Sequence, residues 1–172
     1  MNQYSLADIE TFCARYYGAL AFTIIPYGYN MTFPALAQGT VQTQQLNVVA
    51  NADFMLLAIG HRSYLSTQAA SQLQGTMLAP FIRMLLTDGG SNQQLSNQSV
   101  DLNNYGSGGG DNFYHRLPYP RIISGRSTLQ VQMTNYAPFA ESYYTDLYFE
   151  GVQVYAFSDG QGGGLRSGRS GG

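Results

Sequence analysis

From residue 19 to residue 157 the apolar residues fall in short runs, not at helical spacing, and most runs end at a turn signal. The run 127–133 is the plainest case. Leu129, Val131 and Met133 face one way and Thr128, Gln130 and Gln132 the other, the period of two that a half-buried strand requires. The run 54–60 (FMLLAIG) is apolar throughout, as in a strand covered on both faces. Further β-forming runs lie at 19–25, 39–49, 80–87, more weakly within 94–102, and at 121–123 and 145–157. Turn signals stand at 51–53, at Asp88-Gly89-Gly90 and at Ser124-Gly125-Arg126. The runs 39–49 and 54–60 flank the first of these and read as a hairpin, and Gly151 reads as a bulge within the last run. About eight short strands spaced in this way predict an all-β, antiparallel sandwich or barrel. Eight strands fit a jelly roll, although periodicity does not separate a jelly roll from other sandwiches.

The ends differ from the middle. Ser5 can cap a helix with Asp8 at the capping-box position, and Leu6, Ile9, Cys13 and Tyr16 or Tyr17 recur at helical spacing, with Phe12 beside them. Gly18 is a stop. This short helix could pack on its own domain or on a neighbour. The last 15 residues (SDGQGGGLRSGRSGG) hold one large apolar residue, Leu165, and predict a flexible tail. The expected organisation is therefore an N-terminal helical arm (1–18), a β domain (19–157) and a Gly/Ser-rich tail (158–172), within the size of one domain.

Charge narrows the functional classes. Only 10% of the residues are charged, against roughly 25% in ordinary domains, and all eight basic residues are Arg. Lys is absent, while there are 14 Tyr and 9 Phe. Interface cores favour Tyr and Arg and exclude Lys, so this composition predicts a surface that other protein covers. A net charge of −2 argues against nucleic acid as the main partner. The apolar run 19–26 follows Asp8 and Glu10 without a basic segment, which is not the pattern of a secretory signal. It is also far short of the roughly 20 residues that cross a bilayer, so a soluble chain made in a cytoplasm is expected, with no membrane partner.

No motif points to catalysis, a metal or a cofactor. The glycine-rich stretch 106–110 is followed by Asp-Asn-Phe-Tyr and lacks the Lys of a phosphate loop, which leaves a surface loop. His61 and His115, the two histidines, have no ligand-spaced partner and no nucleophile elbow beside them. Cys13 sits on the apolar stripe of the helix as a small core residue. Asn30 and Asn97 begin glycosylation sequons, which carry no weight in a chain expected to stay in the cytoplasm.

Two aromatic segments remain. Residues 113–121 pack three aromatics, two Arg, a His and two Pro into nine positions. Proline stiffens such a path, and Tyr with Arg makes a good contact surface. Tyr114, Arg116, Tyr119 and Arg121 are accordingly candidate protein-interface residues, as are Tyr143 and Tyr144 from the segment 139–144. The competing reading is of loops that close one end of the sandwich, with Tyr114 or Tyr119 plugging its core.

The order of features in residues 40–156 resembles a group of small tailed-phage virion proteins with a jelly-roll domain. The resemblance rests on Leu95-Ser96-Asn97 with Val100 and Leu102, then Pro118, Pro120, Arg121 and Ile123. Leu129, Val131 and Asn135 follow, and Leu147, Phe149, Gly151 and Tyr155 close the set. It implies a capsid decoration or cement protein on the virion surface, assembled in the host cytoplasm, with the major capsid protein and copies of itself as partners. Another expectation is a carbohydrate-binding jelly roll of a phage tail, receptor-binding or head-fibre protein. A third, a small hydrolase or isomerase on a cupin-like barrel, is opposed by the isolated histidines.

Overall fold

In the computed structural model, which describes residues 4–67, 80–105 and 114–157, Ser5 caps a helix, α1 (Leu6–Tyr17), through a reciprocal pair of bonds. The Asp8 N–H donates to Ser5 Oγ (3.1 Å), and the Ser5 N–H donates to Asp8 Oδ2 (2.9 Å). Gly18 ends the helix at φ +63°, a conformation that suits glycine. Ile9 and Cys13 are buried, with Phe12 and Tyr17 half-buried beside them, against Met55, Val152 and Val154. Leu6, expected on the apolar stripe, is exposed instead, and of the two tyrosines Tyr17, not Tyr16, turns inward. The helix thus packs on its own domain.

Among the described residues nine strands follow: β1 (Ala21–Leu36), β2 (Val41–Asn47), β3 (Asp53–Leu65), β4 (Ile82–Asp88), β5 (Gln93–Gln94), β6 (Val100–Asp101), β7 (Tyr114–Ile123), β8 (Thr128–Asn135) and β9 (Tyr143–Phe157). One sheet has the order β1-β9-β3-β7 and the other β2-β8-β4, with β5 and β6 end to end along the other edge of β4. All pairings are antiparallel, and β5 and β6 act as one interrupted strand. The chain passes from one sheet to the other at nearly every connection. This is the eight-strand order of a jelly roll.

The core lies between the sheets. Phe33, Phe54, Leu56, Ile59, Met84 and Leu129 are among its fully buried side chains. Each contributes on the order of 1.5–3 kcal/mol by leaving water. Leu129, Val131 and Met133 point inward as their alternation predicts. The continuous apolar run on β3 is covered twice: Phe54 and Leu56 face the core, and Met55 faces the helix.

Three expectations are corrected. The runs 39–49 and 54–60 do not form a hairpin, because β2 pairs with β8 and β3 pairs with β7 and β9. Their connection spans the end of the sandwich, with Val48 and Ala52 buried in it. The runs 19–25 and 121–123 belong to the much longer β1 and β7. Both are edge strands, so Pro26, Pro34, Pro118 and Pro120 interrupt no central ladder. Finally, the bulge lies not at Gly151 but opposite it, where Leu57 is the extra residue of β3. Gly151 is needed because a Cβ there would run into the Met55 carbonyl oxygen. The glycine-rich stretch 106–110 and the tail 158–172 lie outside the described residues.

Side-chain amides close one flank of the sandwich. Gln42 and Gln44 of β2 point inward, and their Nε2 groups donate to the carbonyls of Ala35 (3.4 Å) and Thr32 (2.8 Å) on β1. Edge carbonyls of the first sheet thereby find donors in the second.

Candidate interaction surface

The four β7 candidates are arranged by one irregularity. Tyr114, His115 and Arg116 pair with Gly60, Ile59 and Ala58, and pairing resumes only at Arg121 with Leu56. Residues Leu117, Pro118, Tyr119 and Pro120 therefore oppose Leu57 alone. Neither proline can donate to the ladder, and the strand buckles outward. Leu117 turns into the core, the place expected for Tyr114 or Tyr119, while Tyr119 is 81% exposed. The Tyr4 hydroxyl donates to the Leu117 carbonyl (2.6 Å), and the Arg116 guanidinium lies 3.4 Å from the centre of the Tyr4 ring. Arg121 turns the other way, its Nη2 donating to Gln93 Oε1 on the edge of the second sheet (2.6 Å).

Tyr143 is no surface residue. It is 3% exposed within the core, and its hydroxyl donates to Glu141 Oε2 (2.8 Å). Burial, and then that bond, push its phenol up to about 12. Tyr144 does face outward and stacks on Tyr64, with ring centres 5.3 Å apart. The six candidates therefore form no single patch. Tyr114, Arg116 and Tyr144 share the open half of the first sheet's outer face, Tyr119 crowns a ridge, Arg121 straps two edges, and Tyr143 is core.

The second sheet carries a larger surface. Its outward positions are Val41, Thr43, Gln45 and Asn47 on β2, Thr128, Gln130, Gln132 and Thr134 on β8, Arg83, Leu85 and Thr87 on β4, and Gln94 and Asp101 on β5 and β6. Of these thirteen residues only Arg83 and Asp101, register partners on β4 and β6, are charged, and the Arg83 guanidinium lies 4.7 Å from the centre of the Tyr136 ring. Phe81 meets both Tyr136 and Phe139 edge-to-face at 5.7 Å, and Phe81 and Phe139 are partly exposed. The Tyr136 hydroxyl donates to Asp101 Oδ2, and that bond, with burial, raises its pKa. A sheet face with little charge thus runs into an aromatic border.

Sequence reasoning placed Thr128, Gln130 and Gln132 on one side of a strand but not beside the equally uncharged β2. The signal was there in the alternation of Thr43, Gln45 and Asn47. It needed the pairing of β2 with β8 to become a surface.

Of the remaining chemistry-bearing residues His115 is exposed on β7, and the others lie inside. His61 and Ser63 alternate along the buried side of β3, Nδ1 to Oγ at 3.4 Å, and Ser63 Oγ is 3.0 Å from Thr145 Oγ1. Cys13 is fully buried, and its thiol pKa is raised, chiefly by desolvation and then by Glu10. Among the described residues, no three His, Cys, Asp or Glu side chains gather as metal ligands. Among them, too, no helix is long and apolar enough to cross a membrane. Neither the protein-family models nor the curated proteins compared with the chain match it.

Proposed function

We propose that the chain is a non-enzymatic virion component, a decoration or cement protein of a phage capsid that binds the major capsid lattice through the outer face of its second sheet. The observation that carries this reading is the near absence of charge on that face. A solvated sheet surface ordinarily alternates its polar positions with Lys, Glu, Asp and Arg, which keep a protein soluble and apart from its neighbours. Thr, Gln and Asn lose far less on desolvation than ionised groups, and they regain hydrogen bonds across a flat contact. The border of Phe81 and Phe139, with Arg83 beside it, offers the aromatic and guanidinium anchors that dominate binding energy.

The resemblance of residues 40–156 to phage virion proteins supplies the partner. Binding across neighbouring capsid subunits would stabilise the shell, because each copy must be released before the subunits separate. The test compares shells with and without the protein, heated in parallel. Protein-bearing shells should stay closed to a higher temperature, with density for the jelly roll on the lattice. Equal melting, with no such density, would overturn the assignment.

A further inference from the structure

The outer face of the first sheet, opposite the surface assigned to the capsid, is only half covered by α1. On its open half the register places glycine where a side chain would otherwise stand. Gly28 of β1 lies beside Glu150 of β9, and Gly60 of β3 lies between Tyr148 of β9 and Tyr114 of β7. With no side chain at Gly60 in its way, Tyr114 reaches across β3. Together with Tyr148, Glu150, Asn30 and Gly28 it lines a groove of about 490 Å³. That volume is within the roughly 300–1,000 Å³ of small-ligand sites.

We infer that this groove is a binding site for a short neutral oligosaccharide. Tyrosine rings offer flat, weakly negative faces to the C–H face of a pyranose. The Glu150 carboxylate accepts from sugar hydroxyls, and the Asn30 amide both donates and accepts, the pairing that vicinal hydroxyls need. Charge fixes the class further. Among the described residues that line the groove, Glu150 is the one ionised group. Its carboxylate disfavours phosphate, sulfate and sialylated ligands. A proline-rich peptide also docks on tyrosines and can take their hydroxyls and the Asn30 amide as donors, but its prolines have no N–H to give the Glu150 carboxylate. A sugar hydroxyl donates to that carboxylate.

This inference stands apart from the capsid assignment and is tested separately. The full chain is screened on a glycan array, and hits are titrated by calorimetry. Gly28→Val fills the groove floor, where a Cβ meets its nearest neighbour, the Phe149 carbonyl, at an ordinary 3.4 Å. Glu150→Gln removes the charged acceptor from an exposed position. Each should weaken binding of neutral glycans roughly tenfold or more with the melting temperature held, and both variants should still bind capsid shells. The inference is overturned if the array gives no neutral glycan, if binding survives both substitutions, or if sulfated glycans or proline-rich peptides bind instead.

Discussion

The Tyr17 hydroxyl donates to Asp53 Oδ2 at 2.7 Å, while Asp53 Oδ1 accepts from the Gly125 N–H at 2.8 Å, so one carboxylate joins the end of α1 to the turn between β7 and β8. Gly125 has no room for a side chain, since a Cβ would lie 2.8 Å from the Ala52 carbonyl oxygen. Asp53→Ala would leave two donors without their acceptor. The expected loss is about 2–4 kcal/mol, measured by urea unfolding. A loss below about 0.5 kcal/mol would show that neither bond matters.

Alkaline pH should act through the same kind of bond. Tyr143 is raised to about 12 and Tyr17 is raised as well, in each case by burial first and a carboxylate bond second. An unfolded phenol ionises near pH 10, whereas these two stay protonated in the fold. Their stabilisation is therefore complete below about pH 10 and fades as the pH climbs, that of Tyr143 being lost through about 12. Melting temperature should fall across that window, and Tyr143→Phe should flatten the fall. An unchanged slope in the variant would contradict this.

Two glycines on paired strands should respond oppositely to the same change. Gly151→Ala drives a Cβ into the Met55 carbonyl and should cost about 3 kcal/mol or more. Gly28→Ala meets only ordinary contact and should fall within about 0.5 kcal/mol of the parent. Thermal melts of the pair decide it, and similar melting temperatures would refute the close approach at Gly151.

The buckle in β7 separates packing from display. Tyr4→Ala removes both the hydroxyl bond to Leu117 and the ring beneath Arg116, and should cost about 1–2 kcal/mol. Tyr119→Ala, at an 81% exposed position, should leave stability unchanged. If chemical denaturation ranks them the other way, the buckle is misassigned.

The strands that alternate cleanly, such as β8, were legible in the sequence because each turned a single apolar face to one core. The helix start was equally plain, since Ser5 and Asp8 make a purely local motif. What stayed hidden depends on pairing between distant residues. On β2 the exposed Val41 and the inward Gln42 and Gln44 invert the usual pattern, because those amides serve carbonyls on β1. Prolines marked 113–121 as a stiff loop, whereas an edge strand accommodates them. Tyr143 and Tyr144 are adjacent in sequence, and strand alternation sends one into the core and the other outward. The saccharide groove depends on Gly60, whose role appears only once β7 and β9 flank it.

The capsid assignment rests on a sheet face with almost no charge, so the decisive measurement is to charge its centre. Gln132→Glu and Gln132→Lys should each fold as the parent does, because the position points outward from β8. In co-sedimentation with capsid shells that lack the protein, the parent should pellet with the shells. Both variants should stay in solution, since either charge would be buried without a partner. Equal pelleting of all three proteins, or none by the parent, would contradict the account.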